Sequence, residues 1–226
     1  MAQQAVSPDN IELGNHSALA WLAGLLAGRD PIAGLQEVEP YLPGHIWAIS
    51  GFSHLRSIIG AASTRLTDRE NSKQAVHDPR IIWESERIRL FEMCPGGVPA
   101  PPYGSWWMEG CLMGDTTAAA ARWYQQEKLS VKSGPADYLP TELEFLSYLL
   151  ADQVADTSGT LVRVRQECRF MDELLLPWAP VFCVTGEKAS RIELWWHVLD
   201  ALSSLLNLER SRIGQLTGTQ PNLADI

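Results

Sequence analysis

Histidine and cysteine are scarce in this chain of 226 residues, and their placement excludes the common metal sites. The sequence contains five histidines and four cysteines. No two cysteines form the C-x-x-C pair that is typical of zinc knuckles and thioredoxin-like sites. Phosphate-loop, dinucleotide-binding, zinc-protease and serine-hydrolase motifs are also missing from the sequence. We therefore predict no metal, no cofactor and no catalytic residues, and so a protein that is not an enzyme.

Basic residues are also few, since 18 lysines and arginines face 27 aspartates and glutamates, for a net charge of -9. This balance argues against a nucleic-acid partner, because phosphate-binding proteins carry a basic stripe. The apolar run at residues 18–27 is too short to span a bilayer. The first residues, Met-Ala-Gln-Gln, lack the basic start of a secretory signal. We expect a cytoplasmic protein without stable membrane insertion.

Helical periodicity runs through most of the chain, whereas no segment alternates polar and apolar residues convincingly as a strand does. These patterns predict an all-α fold, a single bundle-like domain of about eight to ten helices. The predicted helices cover residues 18–28, 30–40, 46–65, 80–93, 116–129, 141–154, 160–176 and 191–206.

Polar and breaker-rich segments mark the predicted limits of this domain. The prediction has a flexible segment at 1–15, a helical domain at 16–215 and a flexible tail at 216–226. Asn15 or Ser17 is expected to cap the first helix, and Thr141 with Glu144 to form a capping box. The charged residues 66–79 are predicted to form an exposed loop or hinge.

Three segments, taken in order, carry a family resemblance. They read PPYGSWWME at 101–109, PADYLPTELEF at 135–145 and FMDELLLPWAPVF at 170–182. Together they resemble the TorD/DmsD/NarJ-like chaperones, which mature complex iron–sulfur molybdoenzymes. That family shows P-x-Y-x-S, P-x-D-H-x-x-x-E-L-x-F and F-x-x-x-H-L-x-x-W-x-P-x-F segments. Tyr138 stands at the family's second-segment histidine, and the third-segment histidine is replaced, with Glu173 close to that place.

The resemblance implies an all-helical, TorD-like chaperone of the cytoplasm. Its partner would be the apo catalytic subunit of a molybdopterin oxidoreductase, bound together with its twin-arginine-type leader. Binding would assist cofactor insertion and delay export. A cofactorless structural subunit of an oxidoreductase complex and a helical small-ligand-binding protein are the alternatives. The chain is expected to be a monomer, or a dimer that swaps helices through residues 66–79.

A receptor for such a leader needs acidic side chains for the arginines and aromatic side chains for the apolar stretch. We interpret Asp137, Glu142 and Glu144 as an acidic lip, with a helix cap as the other reading of Asp137. The candidate peptide-binding residues are Tyr103, Ser105, Trp106, Trp107, Asp137, Tyr138, Glu142 and Glu144. One of the two tryptophans is expected in the core, and Ser105 is expected to cap the following helix. The D137A and W106A variants are expected to stay folded and to lose leader affinity.

The third segment is interpreted as architectural, because its large apolar residues recur every four positions. These residues are Phe170, Leu174, Trp178 and Phe182. Pro177 and Pro180 are expected to end the helix and bend the chain. In the pair Trp195 and Trp196, one ring is predicted to face inward and the other to be partly exposed.

Overall fold

Helices account for nearly all of the regular structure in the computed structural model, which describes residues 8–72, 78–155 and 160–218. Within these ranges there are eleven α-helices and no strand, so the predicted all-α fold is confirmed. The helices are α1 Pro8–Leu26, α2 Pro31–Val38, α3 Gly44–Trp47, α4 Ser50–Ser72, α5 Pro79–Phe91, α6 Gly104–Glu109, α7 Asp115–Gln126, α8 Leu139–Ala155, α9 Thr160–Phe170, α10 Ala179–Ala189 and α11 Glu193–Thr217. Because α3 and α6 are only four and six residues long, the count slightly exceeds the eight to ten expected.

The core lies where α1 packs along α8 and where α11 packs against α4 and α10. Its largest fully buried side chains include Trp178, Trp195, Phe170 and Phe182. The third segment is therefore architectural, as predicted. Trp196 is exposed beside the buried Trp195, which confirms the prediction for that pair.

The first and fourth helices are longer than their sequence patterns predict. Residues 8–15, which belong to the segment predicted to be flexible, form the first turns of α1, and residues 1–7 lie outside the described ranges. Asn15 lies inside that helix rather than capping it, and its buried side-chain amide donates a hydrogen bond to Glu209 of α11. Residues 66–72 belong to α4, so the helix continues where the sequence predicts a loop. Polar residues alone do not distinguish a solvated helix from a loop.

Two predicted segments lie only partly within the described residues. Of the expected hinge, residues 73–77 lie outside the described ranges. Of the expected flexible tail, residues 216 and 217 are the last of α11, Gly218 ends the helix in a left-handed conformation, and residues 219–226 lie outside. The limits of the helical domain stay a prediction.

Proline starts helices here as often as it ends them. Asp30 and Asp78 cap α2 and α5, and a proline follows each at the first helical position, where its missing N–H costs no hydrogen bond. Pro180 likewise stands in the first turn of α10. The predicted helix at 160–176 is confirmed as α9 with the π-helical turn Met171–Leu175, but α10 was not predicted.

The capping box predicted at Thr141 is also wrong. The backbone N–H groups of Thr141 and Glu142 both donate to the carbonyl of Tyr138. Thr141 therefore lies within the first turn of α8, which begins at Leu139.

Two kinds of feature are missing from the part of the chain that the structure describes. No helix there is both long enough and apolar enough to cross a membrane. No three His, Cys, Asp or Glu side chains there are grouped as metal ligands would be.

Candidate peptide-binding surface

Asp137 fastens α6 and α7 to the start of α8. Its carboxylate accepts a hydrogen bond from the Ser105 backbone N–H at 2.7 Å and another from the Thr117 hydroxyl at 2.7 Å. Its backbone carbonyl accepts from the Gly104 N–H at 3.0 Å. Asp137 is fully buried and caps α6, whereas its alternative reading placed the cap at the helix that follows it in the chain.

Ser105 is fully buried in this junction and does not cap α6, contrary to expectation. The residue at the N-cap position is Tyr103, and the free N–H of Ser105 is satisfied by Asp137 from another part of the chain. A sequence pattern that is local in the chain does not reveal such a long-range cap.

Tyr103 and Tyr138 come together through a single antiparallel backbone bridge. Their ring centroids are 5.4 Å apart, and both side chains are half-buried. Burial raises the pKa of Tyr103, and burial together with Tyr103 raises the pKa of Tyr138 to about 12. Both phenols are therefore neutral at physiological pH and can donate or accept hydrogen bonds.

The predicted acidic lip does not form. Asp137 and Glu142 are fully buried, and only Glu144 of the three carboxylates is exposed. Helical period explains the difference, because Glu142 faces inward with the neighbouring Leu143 while Glu144 faces outward. Neither oxygen of Glu142 has a hydrogen-bond partner, and burial, followed by the charge of Asp137, raises its pKa well above the usual range.

A different carboxylate lies near the two tyrosines. The charge of Glu92 contributes to the raised pKa of Tyr103, although burial is the larger cause. Glu92 is half-exposed and pairs at 2.6 Å with Arg87, which also binds Glu84. Sequence reasoning missed this ion-pair group, whose signal is the E-x-x-R spacing at the end of α5.

As predicted, one of the two adjacent tryptophans of α6 packs against the core. The Trp107 indole N–H donates to the Pro101 carbonyl at 2.7 Å, and its ring packs edge-on against Phe182 at 6.3 Å. Trp106 is 43% exposed. Trp107 thus attaches α6 to the core, and Trp106 is available to a partner.

Trp106 is one of four exposed apolar side chains within eight positions of the chain, which we call the α6 apolar surface. Its members are Trp106, Met108, Leu112 and Met113, exposed by 43%, 50%, 51% and 74%. Four such residues within eight positions differ from the isolated exposed apolar residues of ordinary surfaces. Methionine adapts its shape to varied apolar partners. The sequence signal that could have revealed this surface is the apolar pair Leu112 and Met113, which lies between Gly110 and Gly114.

Glu109 anchors the loop between α6 and α7, which carries Leu112 and Met113. Its carboxylate accepts hydrogen bonds at 2.8 Å from the backbone N–H groups of Asp115 and Thr116, at the start of α7. Hydrogen bonds from Thr116 lower the pKa of Glu109. A Cβ at Gly114 would overlap this carboxylate, so the close approach requires glycine. The α6 apolar surface is therefore fixed at both ends, by Asp137 and by Glu109.

Comparison with known proteins identifies the family. None of the curated proteins matches the chain. A crystal structure described as that of a candidate redox enzyme maturation protein from Archaeoglobus fulgidus is similar, with a TM-score of 0.45 and 19% identity over 94% of this chain and 97% of that one. The family model described as nitrate reductase delta subunit matches residues 57–184, which include all three sequence segments. Because that match covers more than half of the chain, the protein belongs to this family of NarJ/TorD-type redox-enzyme maturation chaperones, and the resemblance found in the sequence is confirmed.

Proposed function

We propose that this protein is a cytoplasmic chaperone that binds the leader and the apo form of a molybdenum and iron–sulfur oxidoreductase catalytic subunit. Bound chaperone would keep the subunit open for cofactor insertion and delay its export. The observation that carries the proposal is the α6 apolar surface, whose segment is fixed by hydrogen bonds and whose side chains are exposed.

The chemistry of this surface fits the apolar part of a leader. An indole ring and two methionines give large contact area without requiring one particular side chain opposite. Tyr103 is the N-cap residue of α6 and its ring lies 5.4 Å from that of Tyr138, so both neutral phenols could offer hydrogen bonds to a peptide bound beside α6. Leaders vary in sequence but share an apolar stretch, which such a surface would accept.

No covalent step is required of the chaperone. It would bind the apo subunit more tightly than the matured one, and this difference in affinity would release the subunit when its cofactors are in place. The three segments then have separate roles: the first contacts the client, the second positions the first, and the third builds the core.

A peptide titration tests the proposal. The probe is a synthetic peptide with two arginines followed by about 12 apolar residues, the length of a leader's apolar region. We expect W106A to bind it roughly tenfold or more weakly than the unmodified protein, the range of a central aromatic contact. I81A is the matched control, because Ile81 is an exposed apolar residue of α5. Equal binding by all three proteins would contradict the assignment of this surface.

Co-purification separates a chaperone from a permanent subunit. When the chain is co-expressed with a catalytic subunit that it binds, we expect it to copurify with the cofactor-free form and to be absent from the matured enzyme. Stoichiometric recovery with the matured enzyme would favour the structural-subunit alternative.

A further inference from the structure

A second cleft lies between the end of α10 and the start of α11, apart from the α6 apolar surface. Its volume is about 430 Å³. The lining residues are Glu187, Lys188, Ser190, Trp196, His197 and Asp200. None of them belongs to the three segments that carry the family resemblance.

The indole of Trp196 is a fixed wall of this cleft. Its N–H donates to the Ser190 carbonyl at 3.0 Å, and the residue is still 41% exposed. The indole's polar atom is therefore satisfied inside the protein, while part of its aromatic face is open. An aromatic face held this way is ready to stack on a cation.

The turn beneath Trp196 is anchored to α5. Arg89 donates to the Ala189 carbonyl at 2.7 Å, and the backbone N–H of Arg191 donates to Glu86 at 2.6 Å. Glu86 also pairs with Arg89 at 2.7 Å. These bonds hold the turn from both sides, so the position of the indole is set before any ligand binds.

The charges around the cleft favour a cation. Glu187 and Asp200 line it, and Glu193, one turn before His197, is exposed at its edge. Lys188 is the opposing cationic side chain. The His197 ring stacks on His54 of α4 at 4.4 Å, which fixes that side of the cleft.

Helix α10 lies between this cleft and α6, because Glu187 and Lys188 near its end line the cleft and Phe182 near its start packs against Trp107. Val181 and Val184 are exposed on this helix, and Glu187 follows Val184 by three residues. An eleven-residue helix is roughly 16 Å long, which an extended peptide covers with about five residues.

We propose that the Trp196 cleft binds an arginine side chain of the client's leader while the adjoining apolar stretch lies along α10 to the α6 apolar surface. The guanidinium stacks on the indole and faces the carboxylates of Glu187 and Asp200. Arginine is the chosen cation because its flat, weakly hydrated group stacks on aromatic rings better than an ammonium does. This inference rests on the proposed function and supplies the acidic partner that the buried Asp137 and Glu142 do not.

The test compares the arginine peptide above with a twin in which both arginines are lysine. We expect the unmodified protein to prefer the arginine peptide by roughly fivefold, as a cation–π contact allows. W196A should lose this preference and bind both peptides equally. L208A is the control, because Leu208 is an exposed apolar residue farther along the same helix.

Charge is tested separately. D200N should weaken binding of the arginine peptide about threefold or more, whereas E37Q, which removes the same charge from α2, should leave binding unchanged. Arginine preference retained in W196A, or equal effects of D200N and E37Q, would overturn the inference. Absence of any binding by the unmodified protein would instead overturn the proposed function, so the two failures are distinct.

Discussion

Asp137 and Glu142 are two fully buried carboxyl groups five positions apart, and their surroundings are opposite. Asp137 accepts hydrogen bonds from a helix N-terminus and from the Thr117 hydroxyl, so its charge is compensated. Glu142 has no partner for either oxygen, and its pKa is raised by burial. The two acidic residues of this motif thus have different roles: Asp137 positions α6 through its hydrogen bonds, and Glu142 lies in the core without a hydrogen-bond partner.

The largest effect is expected from D137A, which removes the anion and leaves the buried N–H of Ser105 without its acceptor. We expect a loss of about 3 kcal/mol in the free energy of unfolding. Urea unfolding measures it, with E144A as the exposed control. This corrects the expectation that D137A would be harmless to the fold. Equal stability of D137A and E144A would contradict the structural role of Asp137.

The next effect is the pH dependence that Glu142 contributes. Because its pKa is raised on folding, the folded protein retains a proton that the unfolded chain releases above about pH 4.5. Its stabilising contribution is complete below that pH and is lost as pH rises towards the folded pKa, by up to ~1.4 kcal/mol per pH unit. We expect E142Q to remove this loss, so its stability advantage over the unmodified protein should grow from pH 5 to pH 8. Parallel stability curves would show that Glu142 is ionised in the folded state.

Glu109 extends the comparison to an exposed carboxylate. G114A places a Cβ against it and should lower the midpoint of urea unfolding through loss of the α7 cap. Because the cap also fixes the loop of Leu112 and Met113, the arginine peptide should bind this variant more weakly. G60A is the control, because a Cβ at Gly60 of α4 meets no atom within 4 Å. Unchanged unfolding of G114A would contradict the role of Glu109.

The smallest change in stability is expected for W106A. Trp106 is exposed and its ring makes no core contact of the kind made by Trp107, so the free energy of unfolding should change by about 0.5 kcal/mol or less. Thermal unfolding followed by circular dichroism measures it, and W107A, which changes the partly buried neighbour that packs on Phe182, is expected to be much less stable. Similar losses in both variants would mean that Trp106 has a structural role.

Helical period and aromatic spacing were sufficient to predict the all-α fold and the core of the third segment, because both follow from local repetition. The site was harder to predict. Whether Asp137 lies on the surface depends on Ser105 and Thr117, which are distant in the sequence. The exposure of Leu112 and Met113 depends on the loop that Glu109 closes. The sequence does not predict helix α10, because Pro177 and Pro180 are typical of a helix end, whereas Pro180 stands in the first turn of α10.

Hydrogen exchange read by mass spectrometry, with and without the arginine peptide, tests the central claim most directly. Binding is predicted to slow amide exchange in residues 104–114 and around the turn at 189–197, and to leave α2 unchanged. Protection confined to α1 and α2, with none in α6 or its loop, would contradict the account.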